Sequence, residues 1–148
     1  MGDDRCKSKD KRDKMSEKIQ HGSLPPVMAL AYLGDARHAL YVRDMLVRRG
    51  ITKSGELNRA ALGYVTAEAQ AAAYRRVADM LDEDEQAVFR RAANSGHLNR
   101  PKHASIADYR HATGLEAVIG MHSYLGNEER IKEILAQAHK ETDDDSEN

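Results

Sequence analysis

Two acids in this chain stand among apolar residues, where a carboxylate needs a reason to be. Asp35 lies within "MALAYLGDARHALYVRDML", residues 28–46, and Glu116 within "TGLEAVIGMHSYL", residues 113–125. Charged groups rarely enter apolar surroundings unless they are paired or hold a metal. On a helix, Asp35 has Ala31, Tyr32, His38 and Ala39 three and four residues away, a mostly small and apolar face. Two readings of it are open. Either Gly34 ends one helix and Asp35 caps the next, or Gly34 is a point of close packing and Asp35 a metal ligand. For Glu116 the choice is a salt bridge to Arg110 or to a neighbouring helix, against a site shared with Asp35. If the two acids converge they suit Mg²⁺, which takes oxygen ligands, keeps several waters and is often held by only one or two carboxylates. Periodicity alone does not say whether they meet.

Other chemistries find less support. His97, His103, His111 and His122 lack the tight spacing of a zinc motif, and Cys6 is the only cysteine. No G-x-S-x-G, P-loop or G-x-G-x-x-G motif occurs, which argues against hydrolase, NTPase and dinucleotide sites of those kinds.

The elements that would position the two acids read as helices. The chain has 148 residues, no tryptophan and one phenylalanine, and is rich in Ala, Leu, Arg and Glu. That composition favours helix over sheet in one domain. Pro25 and Pro26 suit a first turn, and apolar residues then recur at helical spacing from Val27 to Val47, until Gly50 stops them. A second helix is expected from Ser54 through Leu62, and a third after a Thr66 cap. A fourth starts at the acidic "DEDE" of 82–85 and reaches about Ala93. Ser105 caps a long helix that Gly126 ends, and "NEERIKEILAQAHK" adds a last amphipathic one, with Ile131, Ile134 and Leu135 on one side. The expectation is an all-α fold of about six or seven helices.

Charge is unevenly distributed although the net is −1. Residues 1–21 form a charged leader with 7 Lys/Arg and 5 Asp/Glu, expected to be disordered, and residues 141–148, "ETDDDSEN", an acidic tail expected to behave likewise. Between them, residues 22–140 carry 16 basic and 14 acidic side chains, a mildly basic working domain. Within it, "NSGHLNRPKHA" at 94–104 reads as an exposed basic loop. No export signal and no run of about 20 apolar residues is present, so a cytoplasmic protein without a membrane span is expected.

"LAYLGDA" at 30–36, followed by "YRHATGLEAVIG" at 109–120, resembles the paired signatures of the ribonuclease III catalytic domain. The closer match is the Mini-ribonuclease III family, which lacks the appended double-stranded-RNA-binding domain. "YVTAEAQA" at 64–71 and "NSGHLNRPKHASIADYR" at 94–110 extend the resemblance across about Leu24 to Lys140. It implies a ribonuclease III-like fold and a Mg²⁺-dependent endonuclease acting on double-stranded RNA. It further implies a homodimer that matures the precursor of large-subunit (23S) ribosomal RNA, with a large-subunit ribosomal protein as a candidate partner. Asp35 then matches the catalytic aspartate and Glu116 the metal-binding glutamate. Positions that are acidic in ordinary ribonuclease III are Met28, Ala31 and Thr113 here. Asn94, Arg100, Lys102, His103 and Arg110 become candidate RNA contacts, although Ala93 stands where the family commonly has a second basic residue. The alternative is a non-catalytic RNA-binding or ribosome-associated protein of the same fold, against which the retention of both acids speaks.

Overall fold

The computed structural model describes residues 24–95 and 104–140. The expected leader and acidic tail, and most of the basic loop, lie outside the described residues. The described residues form six α-helices and no strand: α1 Val27–Arg48, α2 Ser54–Val65, α3 Ala67–Val77, α4 Glu83–Ala93, α5 Ile106–Leu125 and α6 Glu128–Ala138, with a 3₁₀ turn at Ala78–Met80.

Local chemistry sets most of the boundaries. Thr66 alone joins α2 to α3, and its hydroxyl accepts the Ala69 amide at 3.2 Å. Asp82 and Glu85 cap α4 reciprocally: the Asp82 carboxylate accepts the Glu85 amide at 2.8 Å, and the Glu85 carboxylate accepts the Asp82 amide at 2.9 Å. Ser105 accepts the Asp108 amide at the start of α5, and Gly126, with φ of 76°, closes that helix in the left-handed conformation. Two boundary expectations need correction. α2 runs one turn past Leu62, to Val65. More consequentially, α1 passes through Gly34 and Asp35 without a break, so Gly34 is no stop and Asp35 no cap. A glycine inside a helix costs about 1 kcal/mol relative to alanine, and here the packing of the next section offsets it.

α5 is the central element, packed on α1, α3, α4 and α6. From Ala112 to His122 every residue is buried except Glu116, the pattern of a helix surrounded by others. On one side Leu115, Val118 and Ile119 meet Val77, Phe89, Ile134 and Leu135; on another, Ala117 and Met121 meet Leu30, Ala31, Val88 and Ala92. Ile131, Ile134 and Leu135 share the buried face of α6, as their spacing predicts.

Two clusters of buried polar side chains tie the helices together. Glu85 is fully buried and receives Arg130 on both oxygens, at 2.6 and 2.9 Å, while His122 Nε2 lies 2.6 Å from its Oε2. This one carboxylate therefore joins α4, α5 and α6. Burial pushes its carboxyl up, but the hydrogen bonds from His122, Arg130 and the Asp82 amide outweigh burial and hold it near 2. Just past the end of α6, His139 Nε2 sits 3.1 Å from His38 Nε2 of α1, beside the rings of Tyr41 and Tyr64. Burial drives both imidazoles down to about 4, so the pair is neutral at physiological pH.

Because the folded Glu85 carboxyl is depressed from 4.5 to about 2, its ionic contribution is complete above pH 4.5 and fades as pH falls toward 2. Glu85→Gln should cost about 3 kcal/mol at pH 7 by leaving Arg130 and His122 without their anion. Urea unfolding should show this deficit constant above pH 4.5 and shrinking below it. A deficit independent of pH down to 2 would contradict an ionised Glu85.

Candidate functional site

The acids are brought together by an unusually close crossing of α1 and α5. A β-carbon built on Gly34 would fall on the Glu116 carbonyl and lie 2.8 Å from the Gly120 amide nitrogen. One built on Gly120 would fall on the Leu30 carbonyl. Real β-carbons never approach backbone so closely, so only two glycines allow the helices to touch here. Asp35 follows Gly34 directly, and Glu116 is the residue whose backbone Gly34 abuts. The packing role read for Gly34 from the sequence is the one the structure adopts.

Asp35 is exposed and Glu116 half-buried at this crossing. Burial pushes the Glu116 carboxyl up to about 7, the negative charge of Asp35 adds to the shift, and a hydrogen bond from Gln70 opposes it. Among the described residues neither acid forms an ion pair. The alternative of a Glu116–Arg110 salt bridge is therefore not realised; Arg110 is exposed on the first turns of α5. The result is two carboxylates within electrostatic reach of each other, the Asp35 one exposed, with no ion pair among the described residues to offset their repulsion.

Such a pair offers hard oxygen donors to a divalent cation, and a cation would relieve both the repulsion and the neutralising pressure on Glu116. No cluster of three or more His, Cys, Asp or Glu able to hold a metal exists among the described residues. An ion here would complete its shell with water or substrate oxygens. Met28, on the Asp35 side of α1, and buried Ala31 bring no further donor. Thr113 spends its hydroxyl on the Tyr109 carbonyl, at 2.9 Å.

Gln70 was not singled out from the sequence. It is buried at the start of α3, where its Nε2 donates to the Val65 carbonyl at 3.0 Å, and its amide counts among the influences on the Glu116 carboxyl. The available signal was weak: an amide in the alanine-rich "AEAQAAAY". The proposed RNA contacts divide. Asn94 is exposed at the end of α4 and Arg110 on α5, whereas Arg100, Lys102 and His103 lie outside the described residues.

An NMR titration of the metal-free chain should place the Glu116 carboxyl midpoint near 7. Asp35→Asn should lower it, yet leave it above 4.5, because burial is the larger cause. An unchanged midpoint would mean that the two carboxylates do not face each other.

Comparison with known proteins fits this geometry. The Ribonuclease III domain family matches residues 28–126, a span that contains both acids and both crossing glycines. A Mini-ribonuclease 3 of Symbiobacterium thermophilum is 43% identical over 116 residues, covering 78% of this chain and 88% of the relative. One of Brevibacillus brevis is 43% identical over 111 residues, covering 75% and 83%. A Fusobacterium nucleatum protein solved by X-ray crystallography superposes with a TM-score of 0.67 at 34% identity, covering 74% of this chain and 88% of that one. With the matched domain spanning most of the helical body, the chain belongs to the ribonuclease III family of endoribonucleases, alongside its Mini-ribonuclease 3 members.

Proposed function

We propose that this chain is a Mg²⁺-dependent endonuclease of double-stranded RNA, with Asp35 and Glu116 as its catalytic metal ligands. Its proposed setting is the cytoplasmic maturation of large-subunit (23S) ribosomal RNA precursor. The observation that carries this reading is the meeting of two unneutralised carboxylates at the α1–α5 crossing, one of them pushed toward its neutral form. An enzyme that cuts phosphodiesters needs positive charge beside the phosphate. When bound, Mg²⁺ would supply Lewis acidity at the scissile group.

The chain's own residues do the rest. Gly34 and Gly120 hold the backbones in contact, so the carboxylates sit on rigid helices and not on loops. Asp35, exposed, faces the side from which a duplex can approach, while Glu116 is presented from the buried helix behind it. Neither acid needs to act as a nucleophile, since water suffices for hydrolysis. Arg110 and Asn94, both exposed, and Arg100, Lys102 and His103 of the basic loop are the proposed phosphate contacts. A large-subunit ribosomal protein remains a candidate partner.

A homodimer completes the proposal. Met28 and Tyr32 share the Asp35 side of α1, and Tyr32 is 85% exposed, with Leu40 at 61% farther along the helix. An apolar strip of this kind beside a catalytic residue suits a second copy, related by a two-fold axis. Two sites in a symmetric dimer would then cut both strands of a duplex, whose A-form backbone is recognised by shape.

Asp35→Asn and Glu116→Gln should each lower Mg²⁺-dependent cleavage of long double-stranded RNA at least about 10²-fold while duplex binding by gel shift persists. Firm binding by the wild type with no metal-dependent cleavage would instead favour the non-catalytic binder. In sedimentation at micromolar concentration the wild type should run as a dimer and Tyr32→Glu as a monomer; a monomeric wild type would remove the two-fold arrangement.

A further inference from the structure

We propose that the cavity where the α2–α3 corner meets the end of α6 is a phosphate site, framed by Arg49, Tyr64 and Arg76 and separate from the two acids. The cavity has a volume of about 340 Å³ and is lined by Tyr64 of α2, Thr66 at the corner, Glu68 and Arg76 of α3, and His139 just past α6. Ligand sites occupy roughly 300–1,000 Å³, so this one is of a size for a small polar group. Neither Asp35 nor Glu116 lines it.

Neutral oxygens orient two guanidiniums at this cavity. Arg76 Nη1 donates to the Ala138 carbonyl at 2.8 Å, and Arg49 Nη1 donates to the Tyr64 hydroxyl at 2.9 Å. A guanidinium carries its N–H donors in a rigid fork, so one such bond fixes its direction without exhausting it or neutralising its charge. Two hydroxyls stand beside the forks. Tyr64 accepts from Arg49 and Thr66 accepts from the Ala69 amide, which leaves each hydroxyl its own proton to donate. His139 registers the charge independently: burial is the main cause that holds it near 4, and the positive charges of Arg76 and then Arg49 lower it further.

This chemistry selects the occupant. His38 and His139 offer imidazole nitrogens 3.1 Å apart, but the two guanidiniums repel a metal ion there. A phosphate group suits them, because guanidinium forks bind it through paired, charge-assisted hydrogen bonds. Glu68 opposes an anion from the same cavity; it is exposed, and solvent screens its charge. The phosphate is either one of an RNA strand, a source that rests on the nuclease reading above, or a free ion. For the RNA source the location is apt: His38 stands one helical turn beyond Asp35, and its ring stacks on His139 with centroids 5.2 Å apart.

The test is the ³¹P line width of inorganic phosphate added to the intact, metal-free chain at pH 7, with duplex-RNA gel shift without Mg²⁺ as a second arm. The wild type should broaden the phosphate line saturably. Arg76→Gln, and Arg49→Gln at an exposed position that the fold does not need, should each weaken phosphate binding about 10-fold. Glu68→Gln should strengthen it, and Arg59→Gln, exposed on α2 outside the cavity lining, should leave it unchanged. If RNA supplies the phosphate, both cavity-arginine variants also bind duplex more weakly, each with a salt slope shallower by about one. Wild-type duplex binding beside weakened phosphate binding assigns the site to a free phosphate. No broadening by the wild type, or equal broadening by the wild type and both cavity-arginine variants, overturns the proposal. That result would leave the Asp35–Glu116 reading standing, because metal-dependent cleavage tests it separately.

Discussion

Two helix backbones can touch only where neither presents a β-carbon, and this protein places its two key acids around such a contact. Gly34 and Gly120 are buried on facing helices, each against the other chain segment's peptide groups. A larger residue at either position would push α1 and α5 apart at the point where Asp35 and Glu116 must converge. The remaining helices serve this contact. α3 and α4 pack on other flanks of α5, and α6 closes the far side through the Glu85–Arg130–His122 cluster. The electrostatics of the site follow from the same contact, since proximity to Asp35 and burial in α5 together raise Glu116.

The balance of charge is inverted between the two buried or half-buried glutamates. Glu85 and Glu116 both lose solvent, yet one is held near 2 and the other rises to about 7. The difference is in the company each keeps. Glu85 receives a guanidinium, an imidazole and a backbone amide, while Glu116 receives one neutral amide and faces another acid. A saturated carboxylate is structural cement, whereas an unsaturated one retains the capacity to bind.

Helix limits were legible in the sequence wherever a side chain terminates the backbone ladder locally. Thr66, Ser105 and Gly126 do so in ways that depend only on near neighbours, and the helices start and stop there. Gly34 was ambiguous because the feature that decides its role, the Glu116 carbonyl, lies on another helix. The same reason hid two polar residues. Glu85 looks like one of several acids at a helix start, and nothing nearby announces that Arg130 and His122 will bury it. Gln70 has no periodic or motif signal, since the carboxyl group it influences lies far away in the chain. Asp35 and Glu116 could be picked out as individual oddities, but their meeting is a tertiary fact.

The corner between α2 and α3 is a single extended residue, Thr66, with the Val65 carbonyl on one side and the α3 cap on the other. A connection that short has no slack. Adding one residue would rotate α3 by roughly 100° about its axis, turning the Gln70 face away from α5. Sequence length at this corner is thus under a constraint as strict as residue identity. A natural variant of this fold that changes it would have to rebuild the packing of α3 on α5 from a different helix face.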